Sequence, residues 1–149
     1  MNLLKVKNNM NINIKKLHKD AVIPQYSREG DAGLDMFATR MWFEDENVCY
    51  GTGLAVEIPK GYVGLLFPRS SNAKKDLLLC NSVGVIDSNY RGEIIAKFKI
   101  TKEENFKMYD TCERVCQLLI LPYPQIEFKE VDELGETNRG DKGFGSTGK

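Results

Sequence analysis

The chain has 149 residues, enough for one domain with a sizeable core. Its 21 Lys and Arg balance 21 Asp and Glu, and this zero net charge excludes a broad polyanion-binding surface, so duplex nucleic acid is not an expected partner. The cysteines Cys49, Cys80, Cys112 and Cys116 form no C-x-x-C and are joined by one histidine, His18, which excludes zinc-ligand spacing and fits the reduced thiols of a cytoplasmic protein.

Met1 to Asn11 carries Lys5 and Lys7 and no seven-residue apolar run, so neither a targeting leader nor a membrane span is expected. Ile12 to Leu17 opens a sheet system. In Asp-Ala-Gly-Leu-Asp-Met-Phe-Ala38, Asp31 reads as a turn residue. Asp35 lies between Leu34 and Met36, and a carboxylate in that apolar setting needs a cation, for which Arg114 is the candidate. Arg40 to Glu44, with the only tryptophan, Trp42, reads as an ordinary strand and is also the place where a regulatory protein partner would be sought. Leu54–Ile58 and Tyr62–Phe67 are strands separated by Pro59-Lys60-Gly61 turn chemistry.

Arg69-Ser70-Ser71 follows, with Ser70 or Ser71 placed to cap a short helix predicted within Asn72 to Leu79. A cation and two hydroxyls at a helix start also suit phosphate. Gly84-Val85-Ile86-Asp87-Ser-Asn-Tyr90-Arg-Gly92 has the outline of a β-hairpin with a polar tip. Asp87 there is either a turn-former or a general base that orients a water, Tyr90 offers a ring to a sugar, and the Asn81 amide can match one base edge and mismatch another. Ala96, Phe98 and Ile100 alternate with lysines in a half-buried strand. Gln117 interrupts the apolar run Val115–Leu121, where an unsatisfied amide would cost ~1–3 kcal/mol. Pro122 and Pro124 end that run, and Ile126 and Phe128 alternate with Glu127 and Lys129 in a further predicted strand.

The last segment, Asn138 to Lys149, gathers four glycines with Arg139, Lys142, Phe144, Ser146 and Thr147. Gly143 to Lys149 spells G-x-x-x-x-G-K, yet no Ser or Thr and no helix follow, so a P-loop is rejected. Glycine backbone and hydroxyl donors suit phosphate, and Phe144 offers a face to a base. Short strands without repeats predict a closed or sandwiched all-β domain with a C-terminal arm. The boundary is set between a domain over 1–135 and a Gly-rich arm over 136–149.

In order and spacing, the sequence from about Ile14 to Lys149 resembles the trimeric-type deoxyuridine triphosphatase (dUTPase) family. The resemblance is carried by Ala32-Gly-Leu-Asp35, Pro68-Arg-Ser-Ser71, Gly84 to Gly92, Arg114-Val-Cys-Gln-Leu118, and Arg139-Gly140 with Gly143 to Gly148. It implies a jelly-roll or β-clip barrel with one short helix, a flexible arm and a homotrimer. It also implies hydrolysis of dUTP to dUMP and pyrophosphate, which keeps uracil out of DNA and supplies dUMP for dTMP synthesis. By position, Asp87 would orient the attacking water, Tyr90 would lie under the deoxyribose, and Asn81 with Gly84, Val85 and Ile86 would read uracil. Arg69, Ser70, Ser71 and Gln117 would hold phosphates, with Asp35 and Arg114 as a supporting pair. Arg139, Phe144, Gly145, Ser146 and Thr147 would close over the nucleotide in a neighbouring subunit.

Magnesium would bind the triphosphate largely through water, with no direct protein ligand. Location would be cytoplasmic, or host cytoplasm or nucleus for a viral enzyme. The sequence departs from the family pattern at Ser71-Asn72, in place of Gly-Leu, at Cys112, in place of Gly, and at Lys142, also in place of Gly. A dCTP deaminase shares the Arg-Ser-Ser element, but its resemblance fails at the hairpin and the tail. Thirteen residues from Thr137 extend at most ~43–47 Å, against an expected radius of gyration of ~15 Å, so the arm can reach another subunit.

Overall fold

The computed structural model describes residues 10–143. Their strands are β1 (Asn13–Lys16), β2 (Leu34–Phe37), β3 (Arg40–Glu44), β4 (Asn47–Gly51), β5 (Leu54–Glu57), β6 (Tyr62–Pro68), β7 (Leu77–Leu79), β8 (Gly84–Ile86), β9 (Ile95–Ile100) and β10 (Arg114–Pro122). All pairings are antiparallel. One four-stranded sheet runs β2-β10-β6-β8, a second runs β3-β4-β9-β7, and β1 and β5 form a two-stranded ribbon.

Period-two patterning explains the layers. In β9, Ala96 and Phe98 are fully buried while Lys97 and Lys99 turn away from the core. Met36, Leu66, Val115 and Leu118 of the first sheet join Val48, Tyr50, Leu77 and Phe98 of the second in one cluster. This is the jelly-roll arrangement of two faced sheets. The Pro59-Lys60-Gly61 turn forms as read, with Gly61 at φ +84° and the Tyr62 N–H donating to the Pro59 carbonyl at 3.0 Å. Among the described residues no helix is long and apolar enough to cross a membrane.

Three expectations differ. The helix within 72–79 is replaced by a 3₁₀ turn at Ser70–Lys74 and then by β7. Leu77 and Leu79 are buried while Leu78 is exposed, so pairing with the edge of β9 overrides the weak helical pattern. The hairpin at Asp87 does not form. β8 pairs with β6, whereas β9 pairs with β4 and β7, so residues 87–94 cross from one sheet to the other. Ile126 and Phe128 form no strand and are 66% and 93% exposed. Alternation specifies which side chains want cover but not which strand supplies it, and no sheet edge of this chain takes them. Every residue from Leu121 to Gly143 is exposed.

Candidate active site

Strand β6 positions both halves of the site. Its Leu66 pairs with Gly84 of β8, and two residues later Pro68 pairs with Cys116 of β10. The first half is a cavity of about 200 Å³ lined by Leu66, Asn81, Gly84, Val85, Ile86, Asp87, Tyr90, Glu93, Ile94 and Ile95. Six of these are the residues read from sequence as nucleoside-binding or catalytic. Among the described residues β8 is an edge strand, paired only with β6, so none of them takes the backbone N–H and C=O groups of its outer edge beside the Asn81 amide. A Cβ on Gly84 would lie 3.0 Å from Leu66 Cβ and 3.3 Å from Asn81 Nδ2, which ties this position to glycine.

Tyr90 is held tightly for an exposed residue. Its N–H donates to the Asp87 carbonyl at 3.0 Å, and its hydroxyl donates to the Glu93 carbonyl at 2.9 Å. A side chain on Gly92 would collide with the Tyr90 ring, so the ring lies directly against the backbone. Arg91 braces the same turn, donating to the Ser88 carbonyl at 2.7 Å and the Tyr90 carbonyl at 3.0 Å. The Glu93 carboxylate accepts from the Gly53 N–H at 2.8 Å and pairs with Arg40. Asp87 is exposed, with its carboxylate free to face a solvent-borne nucleophile.

The second half gathers around Asp35. Arg69 donates to it through Nε at 2.7 Å and Nη2 at 3.2 Å, and Arg114 Nε lies 3.6 Å away. The predicted Asp35–Arg114 pair exists, but the closer partner is Arg69, which sequence spacing did not reveal. A bulge between Arg114 and Cys116 in the pairing with β2 turns Arg114 outward over the Phe37 ring at 5.3 Å. Gln117 is satisfied: its Nε2 donates to the Pro68 carbonyl at 3.0 Å, and its side chain fills the space a Cβ on Gly33 would need. Cys116 is buried behind this cluster, and desolvation, aided by the Asp35 charge, pushes its thiol up to about 12.

Ser70 and Ser71 part company. The 3₁₀ turn is capped by Arg69 with no side-chain capping bond, so neither serine plays the expected capping role. Ser70 is exposed, while Ser71 accepts from Arg69 Nη1 at 3.2 Å and meets the buried Tyr109 hydroxyl at 3.4 Å. Tyr109 and Glu93 were missed in the sequence, and Gly92 was read only as the end of the Gly84–Gly92 motif. Only Gly92, a glycine two residues after a site tyrosine, gave a local signal.

Arg139 is exposed and donates to the Lys142 carbonyl at 2.9 Å, and it does not line the Asn81–Tyr90 cavity. Phe144, Gly145, Ser146 and Thr147 lie outside the described residues. Cys112 adopts φ +69°, so the turn before β10 keeps the left-handed conformation that glycine favours. Trp42 sits in β3, where its Nε1 donates to Glu44 at 2.7 Å and Arg40 stacks on its ring at 4.4 Å.

A family model described as dUTPase matches residues 19–148. The chain is 43% identical over 147 residues to the deoxyuridine 5′-triphosphate nucleotidohydrolase of Escherichia phage T5, covering 92% of this chain and 98% of that one. It is similar in structure to a Staphylococcus bacteriophage 80alpha dUTPase mutant with dUpNHpp, with a TM-score of 0.81, 30% identity, and coverage of 94% and 99%. A mutant dUTPase from phage phi11 of S. aureus, described as revealing the coordination of a structural Mg(II) ion, aligns with a TM-score of 0.70 and 26% identity over 83% of this chain and 98% of that one.

Proposed function

The chain belongs to the dUTPase family and hydrolyses dUTP, and on that premise we propose how its own residues divide the work. The observation that carries the reading is the single cavity joining Asn81, the β8 edge, Asp87 and Tyr90. Uracil presents acceptor, donor and acceptor along one edge, and a strand edge offers N–H and C=O groups in alternation. The Asn81 amide adds a donor and an acceptor. Cytosine reverses two of the three groups and leaves backbone partners unpaired, a mismatch costing about 1–3 kcal/mol for each buried group.

The deoxyribose lies on the Tyr90 ring. Because the Tyr90 hydroxyl is tied to Glu93 and its ring rests on Gly92, the ring cannot retreat to admit a 2′-hydroxyl. Asp87 orients a water and accepts its proton as the water oxygen bonds to the α-phosphorus. The bond from that phosphorus to the bridging oxygen breaks, and pyrophosphate leaves with the electron pair. Arg69 uses three of its five N–H groups on Asp35 and Ser71, which leaves two for phosphate oxygens; Ser70 supplies a hydroxyl, Gln117 its remaining amide hydrogen.

Among the described residues no three carboxylates, thiols or imidazoles gather into a metal cage. Magnesium would arrive with the triphosphate and keep water ligands, where it would neutralise phosphate charge. We assign the working unit as a homotrimer, the assembly of the family, in which a neighbouring copy would cover the apolar surface that Ile126, Phe128 and Leu134 expose among the described residues. In it, the segment from Arg139 closes over a neighbour's nucleotide, with Phe144 on uracil. The deciding experiment is pyrophosphate release from dUTP, dCTP, dTTP and UTP with and without magnesium. Magnesium-dependent release from dUTP alone is expected; equal release from dCTP would overturn the assignment of Asn81 and β8 to uracil.

A further inference from the structure

We propose that Tyr109 is a positioning residue for the triphosphate half of the site, acting through a hydrogen-bonded latch on the 3₁₀ turn that carries Ser70. The proposal rests on the assignment of Arg69 and Ser70 to phosphate. Tyr109 belongs to the loop before β10 and is only 2% exposed. Its backbone is fixed on both sides by one hydroxyl: the Tyr109 N–H donates to the Tyr50 oxygen at 3.1 Å, and the Tyr50 O–H donates to the Tyr109 carbonyl at 2.9 Å. Tyr50 and Phe98 pack against its ring at centroid distances of 6.0 and 6.2 Å, and Lys75 Nζ lies 4.7 Å from the ring centre. The phenol is therefore delivered to one place by the core.

That place is the underside of the turn. The Tyr109 hydroxyl lies 3.4 Å from Ser71 Oγ and 3.4 Å from Asn72 Oδ1. Donor and acceptor chemistry fixes the direction of the chain of bonds. Asn72 Oδ1 can only accept, so Tyr109 donates to it; the tyrosine oxygen then accepts from Ser71, whose oxygen accepts from Arg69 Nη1 at 3.2 Å. Asn72 Nδ2 ends the relay on the Leu77 carbonyl at 2.8 Å. One buried hydroxyl thus links the Arg69 guanidinium, through Ser71, to Asn72 within the turn. Burial pushes the Tyr109 phenol above its ordinary range, so it stays protonated and able to donate at neutral pH.

The two 3.4 Å contacts are longer than an ordinary O–H···O bond, so they contribute little in the empty site. Polar contacts at active sites commonly tighten when ligand binds. With phosphate on Arg69 and Ser70, tightening of these contacts fixes the height of the turn beneath the ligand. The latch therefore acts on triphosphate binding more than on folding.

The test is Tyr109→Phe in the full chain, read by affinity for dUpNHpp and for dUMP, by steady-state kinetics, and by thermal unfolding. Roughly three- to tenfold weaker dUpNHpp binding and a matching rise in KM are expected, with kcat, dUMP affinity and melting temperature little changed. Asn72→Ala should weaken dUpNHpp binding too, with a lower melting temperature because it also loses the bond to the Leu77 carbonyl, and the double variant should bind dUpNHpp no worse than Asn72→Ala alone. Unchanged dUpNHpp affinity, equal losses for dUpNHpp and dUMP, or additive effects in the double variant would overturn the latch. Ser70→Ala separates the two failures: if it leaves dUpNHpp binding intact, the phosphate assignment falls, whereas a normal Ser70→Ala loss beside a silent Tyr109→Phe removes the latch alone.

Discussion

The crossing from Asp87 to Ile94 and the stretch from Tyr123 to Gly143 are both free of strands, yet they are held very differently. In the crossing, Tyr90, Arg91 and Glu93 each bond to nearby backbone, and Ile94 exchanges bonds with Thr52 and Leu54 at 3.2 and 2.9 Å. After Tyr123 donates to Gly61 at 3.0 Å, the second segment stays exposed throughout and is tied mainly to itself, as in Gly140 N–H to the Thr137 carbonyl at 3.1 Å. Its sequence is not poorer in apolar residues: Ile126, Phe128, Val131 and Leu134 all lie in it. The difference is the source of order. The crossing is preorganised by its own chain, whereas the later segment carries apolar side chains that no described residue covers.

The sharpest break in that comparison is Asp87→Asn, because it removes a proton acceptor from the preorganised side without altering size. The turn's bonds use the Asp87 carbonyl, not its side chain, so the fold should persist. Turnover of dUTP should fall about 10²- to 10⁴-fold while dUpNHpp binding survives. Pyrophosphate release and calorimetric titration read the two quantities. Retained turnover would free Asp87 from its role.

On the other side, Ile126→Asp combined with Phe128→Asp places charge on exposed apolar side chains assigned to the proposed trimer. Sedimentation should show a smaller species than the parent chain, with the fold of each subunit intact by circular dichroism. If the arm closes a neighbour's site as proposed, turnover should drop with assembly, by roughly 10²-fold for lost positioning. An unchanged sedimentation coefficient would show that these residues find no partner chain.

The two regions were not equally legible. Ile95–Ile100 declared itself by period two, because one buried face imposes alternation directly, whereas Leu54–Glu57 and Tyr62–Pro68 are near-continuous apolar runs legible from the Pro59-Lys60-Gly61 turn between them. The nucleoside half was legible for a related reason: Asn81, Gly84, Asp87 and Tyr90 lie close along the chain, so local sequence holds most of the cavity. Pairing was not legible. Nothing in Gly84–Gly92 shows that β8 and β9 join different sheets, since alternation gives a strand its faces but not its neighbour. The Arg69–Asp35 pair and the Tyr109 contact with Ser71 span 34 and 38 residues, and only the folded chain brings such partners together.

A smaller effect tests how preorganised the crossing is. In Gly92→Ala the new methyl meets the Tyr90 ring, so the ring must leave the backbone and loosen its bond to Glu93. Discrimination between dUTP and UTP should fall by about tenfold, the scale of one repositioned contact, with most dUTP turnover kept. The ratio of kcat/KM for the two nucleotides measures it. An unchanged ratio would show that the 2′-position is sensed elsewhere.

The smallest effect concerns strain away from both regions, at the turn into β10. Cys112 holds φ +69° because its N–H donates to the Ala38 carbonyl at 2.8 Å, and Ala38 in turn donates to the Glu113 carbonyl at 2.9 Å. Those bonds fix the backbone whichever residue stands there. A side chain in the left-handed region costs about 1–2 kcal/mol, and glycine avoids that cost while losing more chain entropy on folding, roughly 0.5–1 kcal/mol. The Cys112 side chain is exposed and unpaired with any other cysteine, so its removal loses little packing. Cys112→Gly should therefore stabilise the chain by up to about 1 kcal/mol, a rise of about 2–4 °C in Tm, with turnover unchanged. A lower Tm would mean that the Cys112 side chain supplies contacts in the assembled protein that outweigh its backbone strain.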